Sequence, residues 1–282
     1  MRVRKMKHFF AAVVLVVFVA AVSLFCTGNV DAQDARGVVI TPKRIVFERG
    51  DRILEVLLAN RGDKEEKFRI ELINKAMQEN GQLVLTDTPA PGEHFASDVV
   101  RYSPRQIVLG PRETQKVRLM SRLKADSPDG EYRSHLLIQE IPPADDAAAA
   151  NKSAPSKGIG VNVRAIFGIT IPVILRKGAL EASAKLSDPK IITFHDEPYV
   201  QVAIEREGTK SLFGTANVYA GDQKIATLKN IAVYLSTPRR VVQIKVGSEF
   251  AKSISGKPLR VTFGPEAGNE DAPETEITFT PQ

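Results

Sequence analysis

The chain has 282 residues, 43% hydrophobic and 26% charged, with 39 Lys and Arg against 33 Asp and Glu and a formal net charge of +6. That length suits two domains of roughly 100 residues each plus a leader. Neither Gly, Pro nor any charge block is abundant enough to force disorder, so the class is ordinary globular.

Residues 1–32 read as a signal peptide. Arg2, Arg4, Lys5 and Lys7 form a basic start, Phe9 to Phe25 an apolar run, and Val30-Asp31-Ala32 a small-residue cleavage site before Gln33. An uncleaved anchor is the alternative, because the run sits near the ~17-residue lower limit for a bilayer span. Phe25 before Cys26 is too bulky for a lipoprotein signal. Cleavage at Ala32 removes the only cysteine, so no internal disulfide is expected even though export would permit one. It also removes about half of the net charge, since four cations and Asp31 leave with the leader. The remaining mildly basic surface excludes the electrostatic footprint of a nucleic-acid binder.

Beyond the leader the hydrophobic period is two. Val38-Ile40, Ile45-Phe47, Leu54-Val56-Leu58 and Phe68-Ile70-Leu72 alternate with polar residues; Leu83-Leu85, Val99-Arg101, Ile107-Leu109, Val117-Leu119 and Tyr132 to Ile141 continue the series. Turn signals separate them: Arg49-Gly50-Asp51, Asn60 to Asp63, Asn80-Gly81, Gly110-Pro111 and Ser127 to Gly130. Short strands at this spacing predict an all-β sandwich, and Asn80-Gly81 is the most specific hairpin signal. Ala144 to Gly160 is small, polar and poor in β-formers, and is expected to be a mobile loop. A second β series follows from Val200 to Phe279, with turns at Gly221-Asp222, Thr237-Pro238 and Ser255-Gly256. The domain boundary is placed near Arg176-Lys177-Gly178, giving domains at 33–176 and 177–282.

Between the two series, every odd position from Val161 to Leu175 is apolar, and Ile159 extends the row. At ~3.3 Å per residue such a strand spans roughly 50 Å, against ~17–20 Å for an ordinary one. A domain of this size cannot cover so long a face. Pro172, without an N–H, points to an edge position. Two readings stay open: a last strand buried by both domains, or an edge strand that offers its backbone and alternate side chains to a partner.

At this strand the sequence resembles the periplasmic chaperones of the chaperone–usher pilus pathway. The resemblance is carried by Pro42 to Phe47, Asn60, Arg101-Tyr102-Ser103-Pro104, Gln115 to Leu119, Glu131-Tyr132-Arg133, Gln139 to Pro143 and the alternating strand ending at Arg176. It implies two immunoglobulin-like domains in tandem. It also implies donation of a strand, here Ile159, Val161, Val163, Ala165 and Phe167, to a pilus-type subunit that is then delivered to an outer-membrane usher. The family anchors the subunit's terminal carboxylate with a basic residue on the first strand, where Arg44 stands. The family's strand lysine is replaced by Pro172, so Lys43, Arg164 or another cation supplies the second charge, or anchoring differs in this branch. Glu131 and Arg176 match a pair that holds the domains' orientation. The acid expected before Gly256-Lys257-Pro258 is missing, with Ser253, Ile254 and Ser255 in its place.

The remaining residues carry no recognisable chemistry. His94, His135 and His195 lack metal-ligand spacing, there is no Gly-x-Ser-x-Gly elbow, and Ser255-Gly256-Lys257 lacks the first glycine of a phosphate loop. The sequence therefore predicts a periplasmic chaperone without catalytic residues, metal, cofactor, nucleic acid or small-molecule substrate. Two rival readings are a surface-displayed structural or adhesive immunoglobulin-like module and an assembly factor for a non-pilus envelope protein.

Overall fold

Alternation of apolar and polar side chains puts one face of each strand against a core, and two such faces close a sandwich. The computed structural model describes residues 37–48, 50–142, 166–247, 250, 256–265 and 273–281. The leader and the loop read at 144–160 lie outside them.

The first sandwich opens with β1 (Val38–Thr41), β2 (Ile45–Phe47), β3 (Ile53–Asn60) and β4 (Glu66–Ile73). A small hairpin of β5 (Lys75–Met77) and β6 (Leu83–Leu85) follows, then β7 (Glu93–His94) and the single turn α1 (Ala96–Val99). It is completed by β8 (Val100–Ser103), β9 (Gln106–Leu109), β10 (Thr114–Ser121), β11 (Gly130–Glu140) and β12 (Gly168–Lys177). One sheet has the order β1-β3-β10-β8, the other β2-β12-β11-β4-β9, with β7 parallel to β11. The first strand thus changes sheets between β1 and β2. Val56, Leu58, Val117 and Leu119 from one sheet meet Ile70, Leu136, Ile138 and Val173 from the other, all buried.

Two polar devices fix the ends of this sandwich. Asn60 is buried, and its amide nitrogen donates to the carbonyls of Lys64 (2.7 Å), Leu109 and Gly110 (both 3.1 Å) while its oxygen accepts from Gly62 N–H at 2.8 Å. Every polar atom of that side chain is used, which removes the penalty for burying it. Tyr132, two residues into β11, donates its hydroxyl to the Pro128 carbonyl at 2.8 Å. That is the tyrosine corner of immunoglobulin-like sandwiches.

The second sandwich pairs the sheet β13 (Ala182–Phe194), β14 (Glu197–Gly208) and β17 (Arg239–Lys245) with a sheet of order β16 (Gln223–Val233), β15 (Leu212–Ala220), β18 (Leu259–Gly264) and β19 (Thr275–Phe279). Val202, Ile204, Val218, Ile244, Val261 and Phe263 fill its core. The fold is therefore all-β, with two immunoglobulin-like sandwiches in tandem. Strand β13 does not appear in the periodicity. Its pairing with β14 shifts between Ser187 and Lys190, with Asp188 at φ 50°, and Leu186 is its one fully buried residue. A bulge at Asp188-Pro189 resets the side-chain alternation, so local sequence reads as a connection.

Candidate functional site: the cleft between the sandwiches

Among the described residues there are three apolar clusters, and the smallest joins the two sandwiches: Met77 and Ile174 from the first pack with Phe213, Ala232 and Tyr234 from the second. Beside it lies a cleft of about 470 Å³, lined by Lys43, Arg44 and Pro172 on one side and Phe213, Asn230 and Tyr234 on the other. Lys43 and Arg44 reach it because they occupy the short crossing between β1 and β2. Lys43 is exposed and Arg44 half-buried. The Arg44 guanidinium carbon sits 4.0 Å from the centroid of the Phe213 ring, a cation–π contact that holds the group by its face. A planar guanidinium recognises carboxylates in its own plane, through paired N–H bonds. Tyr234 is buried, and desolvation pushes its phenol up to about 12, so this wall of the cleft stays neutral. Asn230 stands at φ 58° where the register of β15 and β16 shifts.

Behind the cleft is a layer of buried charge on β11. Glu131 is fully buried; its carboxylate lies 3.3 Å from Arg176 Nε and accepts from the Ser211 N–H at 3.0 Å and from the Ser211 hydroxyl. Ser211 belongs to the second sandwich, so Glu131 bonds to both. Ser253 to Ser255, where the resemblance implies an acid, lie outside the described residues. Arg133 forms a buried ion pair with Glu93 at 2.5 Å, donates to the Lys75 carbonyl at 2.9 Å and to Ser236 Oγ at 3.4 Å, and stacks 4.1 Å from the Tyr234 ring centroid. Desolvation raises the Glu93 carboxyl pKa, opposed by the Arg133 charge.

The long strand is partly a core element and partly an edge. Ile171, Val173 and Leu175 point into the first core, whereas Ile174, on the opposite face, enters the interface cluster. On one side β12 pairs with β11 along its length, Gly168 to Lys177. On the other, β2 covers only Val173 to Leu175 in parallel register. Among the described residues no strand pairs with that edge from Gly168 to Pro172. Just before β12 stand two exposed apolar residues, Ile166 (52%) and Phe167 (38%), the second of them in the odd-numbered row. Ile159, Val161, Val163 and Ala165 lie outside the described residues.

Sequence reasoning did not find Phe213, Tyr234, Arg133, Glu93 or Ser211. One signal was available. Val173-Ile174-Leu175, Leu212-Phe213 and Ala232-Val233-Tyr234-Leu235 are runs without alternation, which mark strands covered on both faces. These are the places where the sandwiches meet.

No protein-family model matches the chain, and no curated relative matches it. Solved structures do. The YadV chaperone is 14% identical with a TM-score of 0.47, covering 86% of this chain and 100% of that one. The CsuC–CsuE chaperone–tip adhesion subunit complex of archaic Csu pili from Acinetobacter baumannii gives 14% identity and a TM-score of 0.44, over 87% of this chain and 99% of that one. The Pseudomonas aeruginosa CupB2 chaperone gives 12% and 0.42, over 86% and 100%. All three are likenesses at low identity that extend over most of both chains.

Proposed function

We propose that this protein is a non-enzymatic periplasmic chaperone that completes pilus-type subunits by donating a strand and delivers them to an outer-membrane usher. The observation that carries the reading is the edge of β12 from Gly168 to Pro172, which leads directly into exposed Ile166 and Phe167. A subunit lacking one strand would pair its backbone there and bury alternate side chains of the 159–167 row, each large one contributing ~1.5–3 kcal/mol. Arg44, assisted by Lys43, would hold the subunit's terminal carboxylate in the cleft. Glu131 and Arg176 would keep the two domains, 33–176 and 177–282, at the angle that shapes it. The leader would be cleaved after Ala32 on export.

Arg44→Ala tests the cleft. Its side chain is half-buried at the rim, so the variant should fold with a loss of no more than about 1 kcal/mol. It should lose most of its affinity for a subunit ending in a free carboxylate. Equal capture of subunits with free and amidated C-termini by the wild type would remove the carboxylate anchor.

A further inference from the structure

A hairpin with three residues in each strand is marginal in water by itself, yet β5–β6 stands clear of both sheets of the first sandwich as a separate two-stranded unit. The Lys75 carbonyl accepts from Arg133 of the first sandwich; the rest of the hairpin leans on the second. Met77 N–H donates to Ser236 Oγ at 2.8 Å, and the Glu79 carbonyl accepts from Val241 N–H at 2.7 Å, so the turn adds a bond to the edge of β17. The Glu79 carboxylate is paired with Arg239, which also binds Asp188 at 2.6 Å. Gly81, at φ +83°, lies so close to Arg240 that a Cβ would stand 2.8 Å from its guanidinium. Met77 and Leu83 pack against Phe213, Ala232 and Tyr234, the far wall of the cleft.

We infer that the segment Lys75–Leu85 is a strap that positions the second sandwich's wall of the cleft against Arg44, so that carboxylate capture depends on a hairpin that does not itself line the cleft. The inference rests on the cleft reading above, and the residues concerned act only by positioning.

The test reads the cleft directly. Arg44 lies over the Phe213 ring, so its side-chain Nε–H resonance carries a ring-current shift, assigned by its absence in Arg44→Ala. Glu79→Lys places two cations together and should speed exchange of the Val241 amide about tenfold. It should move the Arg44 resonance towards its solvent value and accelerate dissociation of a carboxylate-terminated subunit peptide by about fivefold. Glu79→Gln should retain most of each property. If Glu79→Lys alone leaves the Val241 amide protected, the double variant Glu79→Lys/Gly81→Ala is measured. Protection that survives in both variants, or faster exchange with an unmoved Arg44 resonance, overturns the strap. Failure of the cleft reading looks different: the strap variants shift the Arg44 resonance while peptide binding is the same for free and amidated termini.

Discussion

His135 is 1% exposed, and neither ring nitrogen has a hydrogen-bond partner among the described residues. It lies opposite Pro172 on β12 and packs edge-on against Tyr234, ring centroids 5.8 Å apart. Burial, then the charges of Arg133 and Lys75, lower its pKa from 6.5 to about 3. The native state therefore holds a neutral imidazole, whereas the unfolded chain binds a proton below pH 6.5. The stability contributed by the neutral form is complete above that value and is lost as pH falls from 6.5 towards 3. Between about pH 7.5 and 4.5 the wild type should lose roughly 2–3 kcal/mol more than His135→Phe, which cannot titrate. Denaturant melts of both proteins at the two pH values measure this, and parallel losses would show that His135 is solvated. In the sequence this residue stands out only for lacking metal-ligand spacing. Its strand and neighbours were visible, but its burial comes from Tyr234, about a hundred residues away in the chain.

At the scale of elements, period-two patterning located most of the strands, and Asn80-Gly81 located the β5–β6 turn, with Gly81 at φ +83°. The pattern could not show what the hairpin leans on, because Met77–Ser236 and Glu79–Val241 are contacts between domains. Strand β13 escaped for a local reason: the Asp188-Pro189 bulge interrupts its alternation. The apolar row was legible from Phe167 to Leu175, and the division of that part into a core stretch and an edge stretch required the structure; Ile159 to Ala165 lie outside the described residues. That division sets an expectation for Phe167. At 38% exposure, Phe167→Ser should cost the free protein less than about 1 kcal/mol, where truncating a buried Phe to Ala costs ~3–5 kcal/mol. The same variant should weaken subunit capture. Thermal melts and binding assays on one preparation check both, and a strongly destabilised variant would make Phe167 a core residue.

Across the whole molecule, two sandwich cores are joined by a third, small cluster and by buried polar groups. Glu131 bonds to Arg176 and Ser211, and Arg133 bonds to Glu93 and Ser236. Such groups are costly to desolvate and costlier to leave unpaired, so they specify one arrangement of the sandwiches more than they stabilise it. The candidate site was half legible in the sequence. Lys43, Arg44 and Pro172 were singled out by the family resemblance, while the opposite wall, Phe213, Asn230 and Tyr234, came from a domain to which the resemblance assigned no cleft residue. The most direct test of strand donation is amide hydrogen exchange between Ile166 and Ile171, measured alone and with a pilus-type subunit that lacks a strand. Strand donation predicts amides on the outer edge that exchange readily in the free protein and become protected by about a hundredfold or more when the subunit binds. A subunit that binds while these amides stay unchanged, or amides already protected in the free protein, would contradict it.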